Sequence, residues 1–152
     1  MKGFLIPLLL VFASPLMAQD RLTNGLPRGA ITYSEMRDFL GISFCMDGKG
    51  YTFILDGLSP TEAADVRAHE AKHREQYRRY PNCAAASRWL NTPRGAMESE
   101  AEAYMAGLCV SVAAGLDKLT LMQNYAGRIE RLLGSEINRV EIIQAMQKYD
   151  HC

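Results

Sequence analysis

Apolar and polar positions divide the chain into a short β-prone region followed by helical stretches. Ile42-Ser43-Phe44-Cys45-Met46 and Tyr51-Thr52-Phe53-Ile54-Leu55 flank the Gly-containing link Asp47-Gly48-Lys49-Gly50, a pattern that predicts a hairpin. Ser59-Pro60-Thr61-Glu62 then supplies a capping Ser, a Pro at the first helical position and a Glu placed to close a capping box. A helix is expected from there to about Arg79, stopped by Pro81. After a Pro-containing link that carries Trp89, a second helix is expected over about 96–114, ending at Gly115. Its later part is apolar apart from Tyr104 and Ser111, which describes a buried core helix and is too short for a membrane span. Leu119, Met122, Ala126, Ile129 and Leu133 mark a third helix ending at Gly134, and Ile137, Val140, Ile143 and Met146 a fourth. The expected fold class is α+β, mainly helical, with a small hairpin ahead of the first of about four helices.

The N-terminus is set apart from this pattern. Lys2 precedes the apolar run Phe4 to Phe12, and Leu16-Met17-Ala18 ends in a small residue, the order of a secretory signal cleaved after about Ala18. The run is well short of the roughly 20 residues of a spanning helix. Export to the periplasm or the medium is therefore expected, with residues 19–152 forming one domain that has no membrane span of its own. Residues 19 to 38 mix turn formers with charges.

Lys and Arg number 17 and Asp and Glu 17, so the formal charge is zero and gives no global attraction to nucleic acid. Cys45, Cys83, Cys109 and Cys152 are widely spaced with no Cys-x-x-Cys pair. In an exported chain an even count favours two disulfides over a thiolate metal site, with three pairings open. Met97, Met105, Met122 and Met146 fall on the expected helices as core filler, and Trp89 is expected to pack beside the functional cleft. The basic run Lys72, Arg74, Arg78 and Arg79 is expected to be a solvated helix end.

Candidate chemistry lies on the first helix, in His69-Glu70-Ala71-Lys72-His73. Residues four apart share a helix face, so the two imidazoles can grip one metal ion while Glu70 is offset toward a metal-activated water. Both His lie on the stripe of Val66, Tyr77 and Tyr80 that faces the protein body. A strand precedes this helix, and Glu98-Ser99-Glu100-Ala101-Glu102 places carboxylates at the start of the next. Two imidazoles and one carboxylate leave the fourth position of tetrahedral zinc for water, and a glutamate base beside it is the equipment of amide hydrolysis. An oxyanion donor is also required, and Tyr104, Tyr77, Tyr149 and His151 are the candidates.

These residues resemble the gluzincin zinc metallopeptidases, in which His-Glu-x-x-His is followed by a ligand Glu opening a helix in the pattern Glu-x-x-Ala-Asp. Glu98-Ser99-Glu100-Ala101-Glu102 follows His73 by about 25 positions and is similar to that pattern. His73-Arg74-Glu75-Gln76 also looks like a His-x-x-Gln continuation found in some members. The resemblance covers roughly residues 52 to 108 and is closest to small single-domain members. It implies a zincin-like fold with an edge strand before the active-site helix. It also implies Zn2+ held by His69, His73 and Glu98, Glu70 as catalytic base, Glu102 in support of a ligand His, and a peptide or protein substrate. The alternatives are a non-catalytic zinc-binding module or partner-binding protein of the same fold, and a helical domain in which the motif is accidental.

Overall fold

The computed structural model describes residues 40–152, and the expected signal segment and residues 19–38 lie outside the described part. Strands β1 (Gly41–Met46) and β2 (Lys49–Ile54) form an antiparallel hairpin in which Met46 pairs with Lys49. The link is therefore two residues, Asp47-Gly48, rather than four. Both adopt positive φ, 51° and 74°, and a two-residue turn of that kind matches the twist of the strands, so Lys49 and Gly50 join β2.

Helix α1 (Pro60–Arg78) starts at the expected capping box: Ser59 accepts from the Glu62 N–H and the Glu62 carboxylate accepts from the Ser59 N–H. The link after it contains a helix that the sequence pattern did not suggest, α2 (Cys83–Leu90), capped by Asn82. Thr92 and Pro93 then repeat the cap-plus-Pro arrangement and start α3 (Pro93–Ala113) three residues before the expected position. Helices α4 (Lys118–Leu133) and α5 (Arg139–Lys148) follow, separated by one 3-10 turn, Gly134–Glu136. The described fold is thus mainly helical, with five α-helices and one small two-stranded sheet.

Two apolar clusters flank α1. The larger is built from α3, α4 and α5, with Met105, Leu108, Ile129, Ile142 and Met146 fully buried, and it takes in all four methionines assigned to the core. The smaller gathers Ile42, Phe44, Met46 and Tyr51 around Phe53 of the hairpin. Disulfides Cys45–Cys83 and Cys109–Cys152 join the hairpin to α2 and α3 to the C-terminus. Such bridges fit an extracellular environment. Among the described residues no helix is long and apolar enough to cross a membrane.

Helix α1, between these clusters, buries Asp65, Val66, Glu70, His73 and Gln76. All but Val66 are polar. Burying polar groups costs free energy unless each is partnered, so a central helix with this inner face is poorly explained by stability alone.

Candidate metal centre

α1 and α3 pack antiparallel, and their facing residues match in sequence: Asp65 with Gly107 and Ser111, His69 with Tyr104, His73 with Glu100, Gln76 with Ser99. One turn apart on α1, His69 and His73 have their Nε2 atoms at 3.0 Å, and this register sets the Glu100 carboxylate 3.6 Å from His69 Nε2 and 3.5 Å from His73 Nε2. His69, His73 and Glu100 could together hold a metal ion. Bonds of about 2.0–2.1 Å at tetrahedral angles place donor atoms about 3.3 Å apart, close to all three separations.

The protonation pattern fits the same purpose. The Gln76 amide nitrogen donates to the Ser99 carbonyl at 2.9 Å and to the Glu102 carboxylate at 3.0 Å, which turns its oxygen toward His73. That oxygen only accepts, so His73 Nδ1, 2.9 Å away, donates to it and Nε2 is the ring atom directed at His69 and Glu100. Ser99 Oγ steadies the amide by donating to the same oxygen at 2.6 Å. Burial, then the neighbouring His73 and Arg128, hold His69 well below the ordinary imidazole range, so it is neutral near pH 7. Burial pushes the Glu100 carboxyl up, which His73 partly offsets.

Glu70 lies beside this group with Oε1 4.0 Å from His69 Nε2, and its buried Oε2 has no hydrogen-bond partner among the described residues. Burial raises its pKa to about 7 against the lowering influence of His73. An orphaned carboxylate oxygen beside two converging imidazole nitrogens costs stability with no structural return, and a cation with its water would satisfy this group.

Strand β1 closes over Glu70 and depends on a missing side chain. A Cβ on Gly41 would stand 2.6 Å from Val66 Cγ1 and 2.8 Å from Glu70 Oε1. Gly41→Ala is expected to cost about 1–3 kcal/mol in denaturant unfolding through this overlap. Gly50→Ala, whose Cβ would meet only the flexible Arg74 side chain at 3.4 Å, provides the control. Equal midpoints for the two variants would show that β1 does not sit this tightly on Glu70.

Not every expected site residue is here. Glu98 is not brought to the imidazoles: its carboxylate accepts from Lys148 Nζ at 2.6 Å and from the Tyr149 hydroxyl at 3.0 Å. Residues two apart on a helix point about 200° apart, so Glu98 and Glu100 cannot both face α1, and the packing register selects Glu100. Glu102 supports His73 only through Gln76, and its carboxylate also takes Arg79. Of the oxyanion candidates, Tyr104 has its ring 4.4 Å from that of His69, Tyr77 donates to the Ser43 carbonyl, Tyr149 is engaged by Glu98 and His151 is exposed. Trp89 lines a separate cavity with Glu98 and Tyr149 and is not beside the metal group. Arg74 is half-buried under the hairpin, donating to Thr52 Oγ1 at 2.5 Å, and so departs from the solvated face expected of the basic run.

His69, Glu70 and Tyr104 stand in the wall of a cleft of about 790 Å3 that runs from Leu40 and Gly41 past the first half of α1 to α4. Its size suits a bound ligand or a short peptide segment. Comparison with protein-family models, with curated proteins and with solved structures gives no match.

Proposed function

We propose that this chain is an exported zinc metallopeptidase of gluzincin type and zincin-like fold, with His69, His73 and Glu100 as metal ligands. The observation that carries the reading is the His69–His73–Glu100 triangle with the unpartnered Glu70 carboxylate oxygen beside it. An N2O donor set with an open position suits zinc, which when bound supplies the Lewis acidity that activates water and polarises a carbonyl.

The chain's own residues would do the rest. Glu70 takes a proton from the attacking water and delivers it to the leaving amine nitrogen, a double role open to a carboxylate in a largely dry site. Tyr104 keeps its proton, because burial and then Glu100 raise its pKa to about 12, so its hydroxyl can donate to the oxygen on which charge develops. Gln76 and Ser99 hold His73 in one tautomer and one orientation. The two disulfides and the sequence of residues 1–18 support export.

Metal analysis joined to a cleavage assay tests the reading. Native protein is expected to carry about one zinc per chain and to cleave members of a mixed peptide library. A chelator should abolish cleavage and added zinc restore it. Zinc without cleavage of any library would instead identify a non-catalytic zinc module, and protein purified without metal would mark the motif as accidental.

A further inference from the structure

The wall of the cleft opposite α1 is a stripe of α4 at helical spacing, with Leu121, Asn124, Tyr125, Arg128 and Arg131 facing the same space as His69 and Glu70. Two of these are cations, and, like Arg67, Arg78, Arg88 and Arg94, they have no carboxylate at salt-bridge distance among the described residues; unlike those four, they line this cleft. Arg79, Lys118, Arg139 and Lys148 each pair with a carboxylate. Acids line the same cleft as Arg128 and Arg131.

Two of those acids, Glu62 and Asp65, are already engaged. The Glu62 carboxylate accepts from the Ser59 N–H at 2.9 Å in the helix cap. Asp65 is buried and accepts hydrogen bonds from the hydroxyls of Ser111 and Tyr125. Glu70 belongs to the metal group. The Arg128 guanidinium carbon lies 5.8 Å from the centroid of the Tyr125 ring, which is tilted by 38° and 4.9 Å from the ring of Tyr104, which in turn meets His69. Arg128 also reaches the Tyr104 side chain directly, so a single ring separates it from a metal ligand. Leu116 and Leu132, 48% and 50% exposed, line the same cleft.

We infer that this cleft recognises a peptide carboxylate, taken by Arg128 with Arg131 beside it, in a segment whose apolar neighbours cover Leu116 and Leu132. A guanidinium matches a carboxylate in a two-pronged hydrogen bond, and cation and anion are each better solvated by the other when the cleft is filled. The inference deepens the peptidase reading by naming a substrate class, and it can be tested without turnover.

Fluorescently labelled peptides are titrated against the full-length, zinc-loaded Glu70→Gln variant by anisotropy. One peptide has an internal Glu among leucines and an amidated end. A second has Gln in that place, and a third is the Gln peptide with a free C-terminal carboxylate. A carboxylate peptide is expected to bind about tenfold to a hundredfold tighter than the amidated Gln peptide, the range for a charged hydrogen bond. Preference for the first identifies a side-chain acid and preference for the third a chain terminus, and either supports the proposal. Arg128→Gln should remove the preference, and Arg128→Glu should transfer it to a peptide with Lys in place of Glu. Equal binding of all three peptides, or a preference that survives Arg128→Gln combined with Arg131→Gln, would overturn it. A carboxylate preference in a protein whose wild type cleaves nothing would keep this inference and remove the peptidase reading. Cleavage with no such preference would do the reverse.

Discussion

Glu100→Ala is expected to strip zinc from the protein, while Glu98→Ala leaves it bound. Glu100 has its carboxylate 3.5 and 3.6 Å from the two imidazole nitrogens, whereas that of Glu98 is committed to Lys148 and Tyr149. Loss of a partner that merely supports a ligand commonly lowers metal affinity about 10–100-fold, and loss of a ligand itself should exceed that. Gln76→Ala should fall in the supporting range, because it releases His73 Nδ1 without removing a donor to the metal. Glu98→Ala removes a pair in which Lys148 is half exposed, so stability should drop by no more than about 1 kcal/mol. Equilibrium dialysis with metal analysis separates the variants. Zinc lost from Glu98→Ala and retained by Glu100→Ala would mean that α3 packs against α1 in another register.

Why the sequence points to the two His but not to the Glu that the fold sets beside them follows from where each kind of information resides. His69, Glu70 and His73 lie within one helical turn, and their relation is set by local geometry alone. The third ligand depends on the phase of α3 against α1, a tertiary quantity. Part of that phase was legible. Met97, Ala101, Met105 and Leu108 form the stripe that enters the main core, and Glu100, Tyr104, Gly107 and Ser111 form the neighbouring stripe that meets α1. Small Gly107 is the clue to the second stripe, since a Cβ there would stand 2.4 Å from Asp65 Oδ1. The apolar pattern in 103–116 is so nearly continuous that it obscures which side meets which helix. A family-style pattern then placed the ligand at Glu98, two residues and about half a turn away.

Local signals served better elsewhere. The Ser59 cap fixes the start of α1, and Asp47-Gly48 yields the hairpin. The same cap-plus-Pro signal at Thr92-Pro93 marks the start of α3, yet proximity to Pro81 makes the whole 81–95 stretch read as a link. α2 forms there because Asn82 caps it and Ala84, Ala85 and Ala86 favour helix, with Cys83 anchored to the hairpin. Asp65 gives no sign in the sequence of being a buried acid, because its two hydroxyl partners come from α3 and α4, 46 and 60 positions away.

Glu70→Gln should keep the fold and the metal and lose most hydrolysis. The substitution preserves length and volume, and Oε2, with no hydrogen-bond partner among the described residues, is the atom that gains least from the fold as a carboxylate. An amide at this buried position removes a charge whose burial is costly enough to raise the pKa to about 7, so stability is expected to hold or rise slightly. Zinc content should also hold, because Glu70 is not one of the three residues whose donor atoms converge. The rate is another matter: an amide can neither accept the proton of the attacking water nor pass it to the leaving nitrogen. Deleting a general base commonly costs about 10²–10⁴-fold, and since both proton transfers use this one group the upper part of that range is expected here. The comparison requires equal zinc content in wild type and variant, measured on the samples assayed. Were the zinc-loaded variant to cleave peptides as fast as wild type, Glu70 would not be the base and the orphaned oxygen would need another explanation. If instead the variant lost its zinc, Glu70 itself would be a ligand and the roles of the two glutamates facing His69 would have to be exchanged.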